Sequence, residues 1–208
     1  MEGRDALEII SKGSFKAGSS VCHVKLCRRA RALEFGRVLD TVAGFFERTA
    51  FRYAVIGAFG LHAYGLSRAT FDLDFVTQSD AQPELLAFFE SLGYETLHVS
   101  SGYSSHLHAL AELGRIDIVY VSGDTSRLLF DQCRTMPGPG RRSVPVPRPE
   151  HLAAMKVQAM RNDPERVLRE LDDIRFLLLL PGIDEEEIRG YFERAGLRER
   201  YDEIKRLA

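Results

Sequence analysis

Two aspartates in one short apolar segment are the residues of this sequence best suited to metal chemistry. Asp72 and Asp74 lie in the segment Phe-Asp-Leu-Asp-Phe-Val-Thr, which alternates in polarity as a half-buried strand does. Residues two apart in a strand share a face, so both carboxylates are expected to project together. Phe71, Leu73 and Phe75 are expected to pack on the opposite, apolar side. Because like charges this close repel, the pair favours a bound cation, and Mg²⁺ suits one or two carboxylates plus phosphate oxygens.

A third carboxylate lies in another strongly apolar segment. Asp117 is the only acid of Arg-Ile-Asp-Ile-Val-Tyr-Val, and burying an unpaired acid in such a strand costs free energy. If this strand lies beside the first one, three carboxylates converge, and a triad of this kind can hold two divalent ions roughly 4 Å apart. The sequence therefore predicts a metal site formed by Asp72, Asp74 and Asp117, with Mg²⁺ or Mn²⁺ as the ion.

Glycines and small polar residues precede the acidic pair. Gly57 separates a predicted strand from a short predicted helix that begins at Ala58, and helix N-termini favour phosphate through free N–H groups and the helix dipole. Arg68 and Thr70 follow that helix and are candidates to contact phosphate or to cap the turn. Strand, glycine, short helix, Arg-x-Thr and Asp-x-Asp, followed later by an isolated strand aspartate, together predict a catalytic site or one derived from it.

Hydrophobic periodicity predicts a mixed α/β half followed by an all-helical half. The expected fold class is α/β (α+β), with a small mixed sheet and flanking helices before a C-terminal helical region. We expect strands at 52–56, 71–77, 94–99, 105–112 and 115–121, helices at 32–49, 58–64, 83–92 and 123–133, a proline-rich connector at 137–149 with an extended piece at 143–146, and helices at 151–161, 164–180, 184–196 and 197–207. The predicted division is a leader at 1–34 whose order the sequence does not define, a core at 35–148 and a helical region at 149–208.

Composition excludes several classes of protein. With 208 residues, 45% of them hydrophobic, the chain is long and apolar enough to bury a core, which excludes disorder over its whole length. A net charge of -2 argues against a dedicated nucleic-acid coat, although Arg141, Arg142 and Arg148 remain candidates for a local basic groove. Three cysteines, no signal peptide and no apolar run of about 20 residues predict a cytoplasmic protein without a membrane partner.

The segment from Val55 to Val76 resembles the signature of the polymerase-beta-type nucleotidyltransferase superfamily, in which a Gly-Gly or Gly-Ser turn precedes an Asp-x-Asp strand. It is most similar to small prokaryotic members akin to abortive-infection-type toxins. Asp117 matches the family's third carboxylate. The resemblance extends over roughly residues 38 to 180: the Pro-x-x-Leu-x-x-x-Lys helix start ends at Lys156, and a later acidic helix contains Asp172 and Asp173, either of which could face the site.

The resemblance implies a metal-dependent nucleotidyltransferase, which moves a nucleoside monophosphate from a nucleoside triphosphate such as ATP to a hydroxyl acceptor and releases pyrophosphate. Asp72, Asp74 and Asp117 would bind the metal and act in catalysis. The nucleotide-binding residues would be Gly57, Ala58, Arg68, Thr70 and Lys156. RNA ends, proteins and small molecules all fit as acceptors, and a toxin–antitoxin or phage-defence setting with a toxin or antitoxin partner is implied.

Two alternatives arise from departures and neighbouring residues. Ala58 stands where relatives carry Gly or Ser, which motivates a binding or antitoxin-like module that has lost catalysis. His106 and His108 beside Asp117 could instead form a zinc site for hydrolysis, although polar strand-face histidines are the favoured interpretation. Lys156 is either a cleft residue or a solvated helix lysine.

The remaining reactive side chains have simpler interpretations. His62 is interpreted as a packing or capping residue, and Cys133 has no evident base partner, so a thiol nucleophile is disfavoured. In the leader, Cys22, His23 and Cys27 fit no standard zinc spacing. A basic cluster there leaves an RNA-contacting arm open beside the simpler interpretation of a loosely docked leader; it comprises Lys25, Arg28, Arg29 and Arg31.

Overall fold

The computed structural model describes residues 34–140 and 142–207. Within them the main sheet has five strands, bounded by Tyr53–Val55 (β1), Asp72–Gln78 (β2), Tyr94–Ser100 (β3), Tyr103–His108 (β4) and Arg115–Val121 (β5). Their order across the sheet is β1, β2, β5, β4, β3. The two strands that carry the acidic residues, β2 and β5, are therefore neighbours inside one sheet.

Eight α-helices accompany the strands in the described part of the chain. They are Phe35–Thr49 (α1), Gly57–Ala63 (α2), Gln82–Ser91 (α3), Gly123–Asp131 (α4), Pro149–Asn162 (α5), Val167–Leu178 (α6), Glu185–Arg194 (α7) and Arg198–Leu207 (α8). None of these helices combines the length and the apolar character needed to cross a membrane. The mixed α/β half followed by a helical half agrees with the sequence prediction.

The parallel pairing of β2 with β5 is the feature that positions the acids. The pair is in register over its whole length, with Asp72 opposite Arg115 and Asp74 opposite Asp117. The other neighbours in the sheet, β1–β2, β3–β4 and β4–β5, pair antiparallel. The chain therefore leaves β2, forms α3, β3 and β4, and returns through β5 alongside β2. Side chains from two distant segments thereby share one face.

The other face of this strand pair is buried. Leu73 and Phe75 of β2 are almost fully excluded from water, as expected from the alternation of polarity. Behind them α1 contributes Phe46, whose ring stacks on Tyr53 of β1 at a centroid distance of 4.4 Å. Phe71 is wrongly predicted: its side chain is 81% exposed, because a bend holds residue 71 outside β2, which begins at Asp72.

A short antiparallel hairpin lies apart from the main sheet. Its strands are Arg134–Pro137 (β6) and Ser143–Val146 (β7), of which only the second was expected from the sequence. Arg142 ties the hairpin to α1 through ion pairs with Asp40, at 2.8 Å, and with Glu47. Arg142 is thus committed to the scaffold. Arg141 and the leader at residues 1–33, with its cysteines and basic cluster, lie outside the described residues.

The helical half shares its core with the sheet. Leu152 and Val157 of α5 are buried in the same apolar cluster as Leu73 and Phe75 of β2. Glu150 of α5, itself buried, accepts a hydrogen bond from the backbone N–H of Asp184 at the start of α7. Although α5 begins next to the predicted domain boundary at residue 148, its packing holds α5 rigidly against the acidic strands.

Candidate active site

Three carboxylates converge at the carboxylate-bearing face of β2 and β5. One oxygen from each of Asp72, Asp74 and Asp117 lies within 4.8 Å of the others. The convergence follows from the register, because Asp74 and Asp117 are direct neighbours across the parallel pair and Asp72 shares the face of Asp74. The predicted meeting of the three acids is therefore present in the structure.

Gly57 lets the chain pass directly over Asp74. Its φ of +60° lies in the left-handed region, and a Cβ added there would lie 1.8 Å from Asp74 Oδ2. The backbone N–H of Ile56, just before it, donates to the carbonyl oxygen of Asp74 at 3.0 Å. Any side chain at position 57 would both strain the backbone and displace the carboxylate.

The electrostatics of the triad are unfavourable without a counter-charge. Burial raises the pKa of Asp74 to about 7, with further contributions from repulsion by Asp72 and Asp117. Lys156 and Arg166 act in the opposite direction and lower that pKa. A carboxyl group that is half-protonated near neutral pH in the apo protein gains from a divalent cation, which favours its ionised form.

Thr70 orients the first acid of the triad. Its hydroxyl donates to Asp72 Oδ1 in a short hydrogen bond. The sequence suggested a phosphate contact or a turn cap for Thr70, and the structure gives its hydroxyl to the carboxylate. A hydroxyl in this position fixes the rotamer of Asp72 without neutralising its charge.

Arg115 and Tyr103 flank the third acid, and the sequence analysis did not identify either residue. Arg115 Nε donates to Asp117 Oδ1 at 2.8 Å, and an Nη of the same guanidinium donates to the Tyr103 hydroxyl at 3.1 Å. Burial, with the adjacent Asp117 charge, raises the pKa of the Tyr103 phenol. The available signal was the two-residue spacing of Arg115 and Asp117, which places both on one strand face.

Lys156 lies in a buried ion-pair network between α5 and α6. Its Nζ is 2.7 Å from Glu170 Oε2 and 2.7 Å from Asp173 Oδ2. Arg166 pairs with the other oxygen of Glu170 at 2.6 Å, and Arg68 Nε is 3.2 Å from Asp173 Oδ1. Both acids are buried, so the network carries alternating charges through the interior.

This network decides two questions that the sequence left open. Asp173 is the buried, paired acid of α6, whereas Asp172 is exposed. Lys156 is a buried residue that lines the cleft above the triad, which excludes the interpretation as a solvated helix lysine. Arg68 is committed to Asp173 and is not among the residues that line the cleft. Glu170 and Arg166 were missed, although their spacing of four along a helix is typical of an ion pair.

A cleft of about 390 Å³ opens over the triad between the sheet and the helices. Its sheet wall is formed by β2, β5 and the β3–β4 turn, and its helix wall by α5 and the start of α6. Gly57 lines the cleft but Ala58 does not, because Ala58 is buried. The lining side chains that can carry charge are Asp72, Asp74, Asp117, Asp163, Glu170, Arg115, Lys156, Arg166 and Arg169.

The histidines suggested for zinc face away from the triad or are already engaged. His106 is buried on the opposite face of the sheet, where its ring nitrogens contact the hydroxyls of Thr96 at 3.1 Å and Ser104 at 2.8 Å. Burial lowers its pKa to about 4. His108 accepts from the backbone N–H of Leu110 at 2.9 Å. In the described part of the chain the metal-ligating group of three is the aspartate triad, without a histidine.

The other two reactive side chains behave as expected from the sequence. His62 Nε2 lies 2.8 Å from the carbonyl oxygen and 3.1 Å from the amide nitrogen of Arg68, and its ring packs edge-on against Phe59, in line with the packing or capping role suggested for it. Cys133 is half-buried, and burial raises the pKa of its thiol to about 11. A thiol with that pKa is protonated at neutral pH and is a poor nucleophile.

The donor set of the triad fits a hard divalent cation. It consists of carboxylate oxygens alone, the ligands that Mg²⁺ prefers and Mn²⁺ accepts. Arg115 pairs with one of the three acids, and no described cation lies between Asp72 and Asp74. Burial first, and then the charges of Asp72 and Asp117, raise the pKa of Asp74, and a divalent cation would favour its ionised form. These side chains would hold Mg²⁺ or Mn²⁺.

Comparison with known proteins gives matches in structure and none in sequence. No protein-family model matches the chain, and no curated protein matches it either. The solution structure of the antibiotic-resistance factor ANT(2″)-Ia superposes with a TM-score of 0.59 at 14% identity, over 82% of this chain and 94% of that one. A crystal structure of ANT(2″)-Ia in complex with adenylyl-2″-tobramycin gives 0.57 at 14% identity, over 80% and 99%. An antigenic nucleotidyltransferase-like protein from Paracoccidioides brasiliensis gives 0.50 at 17% identity, over 81% and 92%.

These similarities show the fold of the chain. The fold is the one found in these nucleotidyltransferase structures, so the predicted fold class is confirmed, and the family resemblance holds at the level of the fold. At identities of 14% to 17% the similarity is one of backbone fold. The complex with adenylyl-2″-tobramycin is a property of ANT(2″)-Ia.

Proposed function

We propose that this protein is a metal-dependent nucleotidyltransferase that moves a nucleoside monophosphate from a nucleoside triphosphate to a hydroxyl acceptor and releases pyrophosphate. The observation that supports this proposal most directly is the in-register convergence of Asp72, Asp74 and Asp117 within 4.8 Å at the floor of a cleft. It occurs on a nucleotidyltransferase fold, in which a charged cleft of this kind fits a polyphosphate and its metal.

The triad is proposed to hold Mg²⁺ or Mn²⁺, which when bound neutralises the phosphate oxygens and lowers the pKa of a coordinated hydroxyl. Thr70 fixes Asp72 and Gly57 leaves room for Asp74. The protein thus supplies a pre-formed set of carboxylate oxygens, and their mutual repulsion is relieved in the loaded state.

Asp117 is the proposed acceptor of the hydroxyl proton. The acceptor oxygen forms a bond to the α-phosphorus, and the bond from that phosphorus to the oxygen bridging the α- and β-phosphates breaks. Pyrophosphate leaves with the electron pair of the broken bond, and the hydroxyl proton passes to an oxygen of Asp117. Arg115 holds the other side of this carboxylate and so keeps it oriented towards the cleft.

The triphosphate is proposed to lie against the helix wall of the cleft. Lys156, Arg166 and Arg169 line this wall and supply its positive charge. The backbone at Gly57 and Ala58 offers N–H donors at the start of α2. Arg68 and Thr70, proposed from the sequence as nucleotide-binding residues, would act by position instead: Arg68 holds Asp173, which pairs with Lys156, and Thr70 holds Asp72.

The acceptor and the biological setting are open to experiment. An RNA end, a protein hydroxyl and a small molecule all fit the reaction, and a toxin–antitoxin or phage-defence context follows only from the family resemblance. In this proposal the cleft of about 390 Å³ is shared by the nucleotide and the reactive part of the acceptor, so a macromolecular acceptor would extend beyond it.

The test is transfer of an α-labelled nucleotide in the presence of Mg²⁺, with total RNA, cell protein and tobramycin as separate acceptors. We expect label in one of these pools with the wild type and a loss of at least about a hundredfold with Asp74→Asn or Asp117→Asn. Asp80→Asn, an exposed aspartate outside the cleft, is the matched control and should retain activity. Equal labelling by wild type and Asp74→Asn would overturn the proposal.

The same experiment separates the alternative of a binding or antitoxin-like module without catalysis. Retention of Mg²⁺-dependent nucleotide binding without transfer to any acceptor would favour that module. The structure gives it little support, because the methyl group of Ala58 is buried and a serine hydroxyl in its place would not line the cleft. Ala58→Ser is accordingly expected to leave nucleotide affinity close to that of the wild type.

A further inference from the structure

We propose that the acceptor carries a phosphate group close to its reactive hydroxyl, and that Arg115, supported by Tyr103, binds this phosphate. The inference rests on the proposed function and names the substrate class of the same site. It assigns to the sheet wall of the cleft the recognition of the acceptor, separate from the helix wall that is assigned to the triphosphate.

The Arg115 guanidinium uses part of its set of N–H donors for hydrogen bonds within the protein. Nε binds Asp117 and one Nη binds Tyr103, while the side chain is 43% exposed and lines the cleft. Its remaining N–H groups are therefore accessible from the cleft. They belong to the same guanidinium that binds Asp117, the carboxylate proposed to take the hydroxyl proton. Arginine binds phosphate through paired N–H donors, and its planar fork suits two phosphate oxygens.

The cations of the cleft fall on two different walls. Arg115 lies at the start of β5 on the sheet wall, beside the third acid. Lys156 and Arg166 lie on the helix wall and both influence Asp74. If the triphosphate contacts the helix wall, Arg115 on the other wall is left for the second reactant.

Outside the triad, the carboxylates that line the cleft lie on the helix wall, away from Arg115. They are Asp163 and Glu170. Glu170 is buried and paired with Lys156 and Arg166. Asp163 accepts the backbone N–H of Glu165 at the turn before α6. An ammonium group beside the attacking hydroxyl would instead meet the guanidinium of Arg115, and like charges at that range repel.

The rest of the sheet wall is neutral and favours a small phosphate ester. Ser100, Gly102, Tyr103 and Val119 line it beside Arg115. The Tyr103 hydroxyl accepts a hydrogen bond from Arg115 at 3.1 Å and so holds the guanidinium on this wall. Outside the triad, Arg115 is then the group on this wall that discriminates acceptors by charge.

The experiment measures binding and does not depend on turnover. The protein is saturated with Mg²⁺ and a non-hydrolysable ATP analogue and then titrated by calorimetry with ribose 5-phosphate, ribose and tobramycin. We expect ribose 5-phosphate to bind at least about tenfold more tightly than ribose, the range given by one charge-assisted hydrogen-bonded contact, and tobramycin to bind more weakly than the sugar phosphate.

Three arginine variants locate the effect. Arg115→Gln should abolish the preference for ribose 5-phosphate over ribose, with both sugars titrated at a concentration of the ATP analogue that saturates the variant. Arg169→Gln should weaken binding of the ATP analogue and leave the preference for ribose 5-phosphate over ribose intact. Arg127→Gln, on the exposed face of α4 and paired with Asp124, is the control and should change neither affinity.

Two results would overturn the inference: equal binding of ribose and ribose 5-phosphate by the wild type, or loss of analogue affinity and not of sugar-phosphate affinity in Arg115→Gln. Failure of the analogue to bind at all would instead contradict the proposed function. The sugar titrations are repeated with Mg²⁺ and without nucleotide. The effect of Arg115→Gln on binding of ribose 5-phosphate is then measured even if the ATP analogue does not bind.

Discussion

At the scale of single residues, the acidic site exists because one position lacks a side chain. Gly57 passes so close to Asp74 that the smallest side-chain carbon would overlap the carboxylate oxygen. The same residue turns the chain from β1 into α2 with a positive φ. One glycine therefore serves both the backbone path and the placement of a metal-binding group.

Gly57→Ala is expected to abolish divalent-metal binding and to lower nucleotidyl transfer by at least about a hundredfold, because the added Cβ displaces Asp74. Because alanine is strained in a left-handed backbone, the substitution should also lower the free energy of unfolding by about 1–2 kcal/mol. Gly65→Ala is the matched control, since Gly65 also has a positive φ, +106°, but has nothing within 4 Å of an added Cβ. Metal titration followed by thermal unfolding distinguishes the two, and similar metal affinities in both variants would contradict the prediction.

The raised pKa of Asp74 predicts how the stability of the metal-free protein depends on pH. Burial raises the pKa of Asp74 in the folded state to about 7, well above the ordinary value of an aspartate, so folding favours the protonated form. The stabilisation is present at acidic pH and is lost as the pH rises through about 7. Asp74→Asn keeps the neutral form, so with a chelator present it should unfold at a higher temperature than wild type at pH 8, and the gap should close towards pH 5.

Thermal unfolding at the two pH values checks this expectation, and Asp80→Asn serves as the exposed control. Addition of Mg²⁺ should raise the unfolding temperature of the wild type at pH 8 and have little effect on Asp74→Asn. A variant less stable than the wild type at pH 8 without metal would show that the repulsion is absent.

At the scale of secondary structure, α5 and α6 are joined by buried charges. Lys156 bridges Glu170 and Asp173, and each acid has a second cation on its other side. Such a network stabilises only when complete, because each buried acid that loses a partner keeps its desolvation cost. The same lysine faces the cleft, so the network couples helix packing to the site.

Lys156→Ala should lower the free energy of unfolding by about 3 kcal/mol, because two buried carboxylates lose a partner together. Lys205→Ala provides the comparison: Lys205 pairs with Glu185 at 2.8 Å on the surface, and such pairs contribute less than about 1 kcal/mol. Chemical denaturation of both variants measures the difference. Equal losses would indicate that the network contributes no more than a surface pair.

Most elements and the acidic triad could be predicted from the sequence, since they depend on local patterns. Alternating polarity identified β2, a strongly apolar run identified β5, and the two-residue spacing placed Asp72 and Asp74 on one face. The strand β6 could not be predicted, because Arg-Thr-Met-Pro shows no alternation and ends in proline. Partners from separate elements, such as Tyr103 for Arg115, depend on strand register, which the sequence alone does not specify.

At the scale of the whole molecule, the sheet and the helical half form one core. Leu152, Val157 and Ile174 from the helices belong to the apolar cluster that contains the sheet's Ile116 and Ile118. Residues of both halves line the cleft. The division at residue 148 therefore remains a prediction about sequence, while the packing indicates a single cooperative unit.

We expect thermal unfolding of the full chain to show one transition, with coincident midpoints by far-ultraviolet circular dichroism and by tyrosine fluorescence. A shared core makes the loss of either half unfavourable for the other. Two separated midpoints would contradict this expectation and would favour independent domains. The measurement is best made with excess Mg²⁺ and again with a chelator, since repulsion in the triad acts on the sheet half first.

The parallel pairing of β2 with β5 also sets the order in which the protein can be made. Antiparallel hairpins such as β3–β4 close over short loops, whereas β2 must wait for α3 and both hairpin strands before β5 arrives beside it. On the ribosome, the first two acids emerge well before their third partner and the lysine of α5. A growing chain therefore carries no complete site until α5, with Lys156, has been synthesised.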